Sequence, residues 1–121
     1  MQTATTLYER IGGDAALSVA VDRFYDRVLA DSELASFFRG VNMQRLRGHQ
    51  HAFLSQALGG PRKYSGASMA KAHARLSITQ RHFDLVAAHL VGTLRELGVP
   101  EDLIGEVASA VTPLATDIVN A

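Results

Sequence analysis

Cysteine is absent from this sequence of 121 residues. The absence excludes disulfide frameworks, zinc–thiolate sites, iron–sulfur clusters and cysteine nucleophiles. An excess of charge of one sign is absent too, because twelve Lys and Arg residues balance twelve Asp and Glu residues. Proteins that bind nucleic acid or anionic membranes carry clustered basic residues, so neither kind of partner is expected.

Long apolar runs are also missing. No stretch approaches the roughly 18 apolar residues of a membrane-spanning helix. The first residues, MQTATTLYERIGG, lack the basic and then apolar segments of a signal peptide. A cytoplasmic location is therefore expected. The composition, with 47% apolar and 20% charged residues, is that of a globular protein, and the length predicts a single domain over residues 1–121.

Apolar residues recur at helical spacing along nearly the whole chain, whereas strand-like alternation is scarce. We therefore predict an all-α fold. Its main helices are expected after Gly12-Gly13 with Asp14 as N-cap, over residues 43–58, from Thr79 to Gly98, and from Pro100 with an interruption at Pro113. Asp31 or Ser32 is expected to cap a short turn between the first two. The turn-rich loop GGPRKYSGA precedes a short helix predicted at 68–74.

The segment RLRGHQHAFL, at residues 45–54, contains two histidines. At about 100° per residue, Gln50 falls in the middle of the apolar face of this helix and His49 lies on its flank. His51 points to the polar side and is expected to face water. Residues two apart on a helix do not face each other, so the two histidines are not predicted to share a metal ion. The arginine-rich start, RLRG, is interpreted as a solvated helix edge.

Three polar side chains are predicted to face apolar surroundings: Tyr25, Gln50 and His73. Tyr25 belongs to the expected apolar stripe of the first long helix, which contains Leu17, Val21, Phe24, Tyr25 and Val28. A buried polar group costs free energy unless it is hydrogen-bonded. Backbone or water could satisfy each group, and a lone inward histidine is more often a satisfied core residue than a ligand. The alternative is a polar spot that serves a ligand. His82 and His89 are predicted to face solvent.

Several short segments occur in a characteristic order along the chain: LYERIGG, VDRFYDRVLAD, FFRGVNM, the glutamine-bearing helix with its ALGGP ending, KYSGASMAKAH, HFDLVAAHL and GVPEDLI. Each is weak alone, but together they cover almost the whole chain, and in this order the sequence resembles the truncated haemoglobins of group I. The resemblance implies a shortened globin fold, which is a two-over-two helical sandwich around haem. In that fold an extended loop precedes the short helix that carries the proximal histidine.

The resemblance also implies a set of residues around haem b. His73 would be the proximal iron ligand, and Tyr25 and Gln50 would contact a ligand on the distal side. His49 stands where relatives have a residue that pairs with a haem propionate or a histidine that itself binds the iron. No histidine follows His89, so covalent haem attachment through a C-terminal histidine is not expected. The other implied haem contacts are Phe38, Leu46, Lys63, Tyr64, Met69 and Phe83.

The function implied by the resemblance is reversible binding of dioxygen, and of nitric oxide and carbon monoxide, at a five-coordinate or weakly six-coordinate iron. Such a protein would store or transport oxygen. The alternative is nitric oxide dioxygenation to nitrate, which would need an external electron donor or reductase because these 121 residues contain no reductase domain. A helical interaction module without haem is the third interpretation.

Overall fold

The computed structural model describes residues 6–60 and 76–119, apart from the side chain at position 117. Within these ranges the chain is helical and forms no strand, so the predicted all-α fold is confirmed. No helix there combines the length and apolarity needed to cross a membrane. The predicted helix at 68–74 lies outside the described residues. The helical elements are α1 (Leu7–Arg10), α2 (Gly13–Ala30), the 3-10 turn η1 (Ala35–Phe38), α3 (Met43–Ala57), α4 (Gln80–Glu96), α5 (Glu101–Val111), the 3-10 turn η2 (Thr112–Leu114) and α6 (Ala115–Ile118).

The start of α2 differs from the prediction. Gly12 is the N-cap, with a φ of 120°, and Asp14 lies inside the first turn, so the prediction that Asp14 caps this helix was wrong. Glycine adopts such a φ without the strain that a side chain would cause. From within the first turn, the Asp14 carboxylate still interacts favourably with the positive end of the helix dipole.

The predicted apolar stripe of α2 forms the middle of the core. Helix α2 packs against both α3 and α4, and α4 packs in turn against α5. Burying an aliphatic or aromatic side chain contributes about 1.5–3 kcal/mol, so this one face supplies a large share of the driving force for folding. Its buried residues are Leu17, Ala20, Val21, Phe24, Tyr25 and Val28.

The connection after α2 is organised by Asp31. Its Oδ1 accepts a hydrogen bond from the Glu33 N–H at 2.9 Å, and its backbone carbonyl accepts from the N–H groups of Leu34 and Ala35. Asp31 therefore caps the turn that leads into η1, whereas the N-cap of η1 itself is Leu34, which forms no capping hydrogen bond through its side chain. Leu34, only 1% exposed, anchors this connection in the core.

The predicted boundaries of the last two long helices are confirmed. Thr79 caps α4, because its Oγ1 accepts a hydrogen bond from the His82 N–H at 3.2 Å. Gly98, with a φ of 82°, adopts the left-handed conformation that commonly follows a helix end. Pro113 lies in η2 and separates α5 from α6, as expected of a residue without an N–H to continue the helix.

Candidate functional site

Tyr25 lies on the buried face of α2, with 5% of its surface exposed. Two aromatic rings pack edge-to-face around it, Phe24 at a centroid distance of 4.9 Å and Phe38 at 6.0 Å. Edge-to-face contacts of this kind are favourable because the positive edge of one ring meets the negative face of another. Phe38 belongs to η1, so the turn between α2 and α3 brings two of the predicted site residues together.

The Tyr25 hydroxyl forms no hydrogen bond with any residue that the structure describes. Burial raises the pKa of this hydroxyl above its ordinary value, although the positive charge of Arg47 opposes the effect. The hydroxyl therefore stays protonated at neutral pH. It is a hydrogen-bond donor, close to the core, without an acceptor among the described residues.

Helix α3 carries the other predicted distal residues. Leu46 and Gln50 are four residues apart, so they share one face of the helix, and both are half-buried. Leu54, four residues further on, is 5% exposed and belongs to the same core cluster as Tyr25. This agrees with the inward orientation predicted for Gln50. His49, on the flank of that face, is exposed.

The prediction that His51 faces water was wrong. Its Nε2 lies 2.8 Å from Oδ1 of Asp14, and only 12% of its side chain is exposed. The contact joins α3 to the first turn of α2. Helical periodicity correctly turned His51 away from the apolar face, but it could not show that the start of α2 covers that side of α3.

The solvent exposure predicted for His82 and His89 was also wrong. His82 Nδ1 accepts a hydrogen bond from the Thr79 N–H at 3.1 Å, and its ring packs edge-to-face against Phe37 at a centroid distance of 4.9 Å. His89 Nε2 lies 2.8 Å from Oδ2 of Asp31, with 23% and 18% of the two side chains exposed. Both histidines are occupied by contacts to neighbouring parts of the fold.

Side chains of α4 hold the α2–η1 connection by three contacts, which we call the η1 clamp. Because η1 carries Phe38, the clamp indirectly fixes the aromatic neighbour of Tyr25. The contacts are His89 with Asp31 at 2.8 Å, His82 with the Phe37 ring, and Arg81 with both carboxylate oxygens of Glu33 at 3.0 and 3.1 Å.

Arg47 is a residue that the sequence interpretation missed. Arg45 is exposed, as expected for a solvated helix edge, but the side chain of Arg47 is only 24% exposed and forms ion pairs with Asp22 and Asp26 on α2. The two aspartates are four residues apart and flank Tyr25 in the sequence. That spacing is the signal that could have indicated a basic partner on the neighbouring helix.

The other predicted haem contacts are less completely placed. Phe83 is buried on α4, 6% exposed, and lies outside the core cluster that contains Tyr25. Four predicted residues lie outside the described ranges, so their roles stay predictions: Lys63, Tyr64, Met69 and His73. Among the described residues, no group of three or more His, Asp or Glu side chains could hold a metal ion.

The arrangement around Tyr25 fits a haem pocket. The Tyr25 hydroxyl is a protonated donor with no acceptor among the described residues, and the adjacent helix carries the Gln50 amide. Aromatic and aliphatic side chains surround this donor. Together with the helical packing, these features define a protein of the globin class. Residues 6–120 match the bacterial-like globin family. The chain belongs to this family and, within it, to the group 1 truncated haemoglobins, as the following relatives show.

The chain is 50% identical to a group 1 truncated haemoglobin, GlbN, of Mycolicibacterium paratuberculosis, over 93% of this chain and 83% of the relative. Identity to the group 1 truncated haemoglobin of Tetrahymena pyriformis is 37%, over 99% of each chain. The crystal structure of the Tetrahymena protein in its Fe(III) form superposes with a TM-score of 0.94, covering 97% of this chain and all of that one.

A 2/2 haemoglobin from Synechococcus, solved in the cyanomet state with covalently attached haem, is 40% identical and superposes with a TM-score of 0.90, again over 97% of this chain and all of that one. The two-over-two globin fold predicted from the sequence is thereby confirmed. As a truncated globin, the chain is a haem-binding protein, so the interpretation as a helical module without haem was wrong.

The Asp31–His89 contact predicts a pH-dependent contribution to stability. The hydrogen bond with His89, and next the one from the Glu33 N–H, lower the pKa of the Asp31 carboxyl. The carboxylate is therefore favoured in the folded state. Its contribution is present above the unfolded-state pKa, near 4, and is lost as the pH falls through the lower folded-state pKa.

Replacing Asp31 with Asn is accordingly expected to lower the thermal unfolding midpoint at neutral pH, and the deficit should shrink as the pH is lowered below about 4. Thermal melts across this pH range measure the effect. Asp84→Asn, an exposed change on α4, is the matched control and should show no comparable deficit. A deficit of Asp31→Asn that stays constant down to acidic pH would contradict the assignment.

Proposed function

We propose that this truncated globin binds dioxygen reversibly at its haem iron and that Tyr25 stabilises the bound ligand. The observation that supports the proposal is the hydroxyl of the buried residue Tyr25, which stays protonated and has no acceptor among the described residues. A ligand in the pocket would supply an acceptor for this donor. Nitric oxide and carbon monoxide are further ligands of the same position.

Haem iron, when bound, supplies an open coordination position at which dioxygen takes on partial negative charge. A hydrogen bond to a charged partner contributes about 1.5–3 kcal/mol, which corresponds to roughly ten- to a hundredfold in residence time. Tyr25 would donate this hydrogen bond. Carbon monoxide carries less charge and should gain less, so the hydroxyl favours dioxygen over carbon monoxide.

We assign Gln50 the role of orienting the Tyr25 hydroxyl when a ligand occupies the pocket, since the two side chains form no hydrogen bond in the structure. Its amide can both donate and accept hydrogen bonds, and it shares the inward face of α3 with Leu46. Leu46 and Phe38 would cover the pocket with apolar surface and limit the access of water. Exclusion of water matters because a competing water acceptor would weaken the hydrogen bond from Tyr25 to the ligand.

On the other side of the haem, His73 is proposed as the proximal iron ligand. Lys63, Tyr64, Met69 and Phe83 are proposed as additional haem contacts. His49 has two candidate roles, which are pairing with a haem propionate and binding the iron from the distal side in the absence of an external ligand. Its exposed position on the flank of α3 favours the propionate.

The central prediction concerns Tyr25→Phe. Removing the hydroxyl should accelerate dioxygen dissociation by roughly ten- to a hundredfold because one hydrogen bond to a charged ligand is lost, whereas carbon monoxide dissociation should change much less. Stopped-flow replacement of dioxygen by carbon monoxide measures the rate. Tyr8→Phe, the same chemical change at a buried tyrosine on α1, is the matched control. Equal dioxygen dissociation rates in Tyr25→Phe and the unchanged protein would refute the distal assignment.

The axial ligands are tested by visible spectra of the ferrous protein without external ligand. His73→Ala should lose the normal five-coordinate haem spectrum because its proximal imidazole is gone, and an intact spectrum would disprove that role. If the unchanged protein is high-spin, His49 is not an iron ligand. This is the result that we expect from the exposed position of His49. A low-spin spectrum that becomes high-spin in His49→Ala would instead establish His49 as the distal ligand.

Nitric oxide dioxygenation is the second candidate, because a donor that retains dioxygen also keeps it available to nitric oxide. Forming nitrate from dioxygen and nitric oxide takes one electron, so repeated turnover would need an external cytoplasmic electron donor. Mixing the oxygenated protein with nitric oxide and a cellular reductant tests this function. We expect nitrate in repeated turnovers if the protein is a dioxygenase, and a single stoichiometric oxidation if it only binds dioxygen.

A further inference from the structure

The guanidinium of Arg47 lies against the buried tyrosine. Its Cζ is 5.7 Å from the centroid of the Tyr25 ring, within the range in which a cation is attracted to the face of an aromatic ring. Arg47 is on α3 and Tyr25 is on α2, so this contact crosses the interface between the two helices that carry the proposed distal residues.

Acceptors on α2 hold the guanidinium in this position. Arg47 Nη1 donates to the backbone carbonyl of Asp22 at 3.0 Å and to its Oδ1 at 3.3 Å, and Nη2 donates to Oδ1 of Asp26 at 3.3 Å. The fork of N–H groups in arginine matches several acceptors at once, which a lysine ammonium on its flexible stem does not. The charge is therefore held at a defined place beside the ring.

The two aspartates are much more exposed than the arginine. Their side chains are 63% and 66% exposed, whereas that of Arg47 is 24% exposed. Water screens the carboxylates more than it screens the guanidinium. The carboxylates thus fix the cation in position, while the effect of its positive charge is retained on the inner side, where Tyr25 lies.

We propose that Arg47 is a positioning residue for Tyr25. Arg47 fixes the plane of the Tyr25 ring and strengthens the Tyr25 hydroxyl as a hydrogen-bond donor. The inference rests on the proposed function, since it concerns the donor that stabilises dioxygen. A positive charge beside the ring makes the phenol a better donor, because it favours electron withdrawal from the O–H group.

The test compares Arg47→Met, which keeps a long apolar stem but removes the charge, with the unchanged haem-loaded protein. We expect dioxygen to dissociate about fivefold faster, because the hydrogen bond from Tyr25 to the ligand would lose part of its strength. The C–O stretching frequency of the carbon monoxide complex should rise, because it reports the positive potential at the ligand. Arg45→Met, at an exposed arginine on the same helix, should change neither quantity.

A double-variant cycle distinguishes an effect through Tyr25 from a direct effect. In a Tyr25→Phe background, Arg47→Met should have little further influence on the dissociation rate, because the hydroxyl that it strengthens is already absent. Equal effects of Arg47→Met in both backgrounds would overturn the inference, as would no effect in either. If Tyr25→Phe alone left dissociation unchanged, the proposed function would fail first, so the two failures are distinguishable.

A second set of variants releases the arginine without removing it. Asp22→Asn combined with Asp26→Asn removes both ion pairs but keeps the guanidinium and the backbone acceptor. We expect a smaller acceleration of dioxygen dissociation in the same direction as Arg47→Met, and Arg47→Lys should also fall between Arg47→Met and the unchanged protein. If the double aspartate variant dissociates dioxygen at the unchanged rate, the carboxylates do not position Arg47 for this role. These variants also test the positioning role of Arg47 if Arg47→Met does not fold.

Discussion

Helix α2 has to bury one face against α3 and α4 at the same time, and the other helical elements are arranged around this packing. Tyr25 is part of that face, so the burial that stabilises the fold also removes a phenol from water. The cost of ionising a phenol in such surroundings keeps its hydroxyl protonated. The core of this globin thereby contains a hydrogen-bond donor that its proposed ligand can use.

The contacts around Tyr25 come from three different parts of the chain. Phe38 arrives from η1, Arg47 from α3, and the η1 clamp from α4 holds the turn that carries Phe38. Phe38 depends on the other elements for its placement, because η1 is a turn of only four residues. The rigidity of the proposed distal pocket is therefore a property of the packed helices and not of any single helix.

Much of the fold was predictable from local sequence. The span of α3, the cap at Thr79 and the interruption at Pro113 all follow from interactions within a few residues, which sequence patterns record directly. The Asp14 prediction was wrong because the preceding glycines can adopt positive φ values and let the helix start two residues earlier, with Gly12 as the N-cap. The inward face of α2 was predicted correctly because apolar spacing from Leu17 to Val28, over about three turns, determines which side is buried.

Local sequence patterns were sufficient to predict the helical elements, the apolar face that includes Tyr25, and the resemblance to truncated haemoglobins. What covers the polar faces of the helices became visible only in the packed fold. Three histidines were expected to face water, but His51 contacts Asp14 on α2, His82 contacts the Thr79 cap of its own helix, and His89 contacts Asp31 after α2. Arg47 likewise forms an ion pair with α2. Periodicity defines the direction of a side chain relative to its own helix, whereas exposure depends on which other helix lies there.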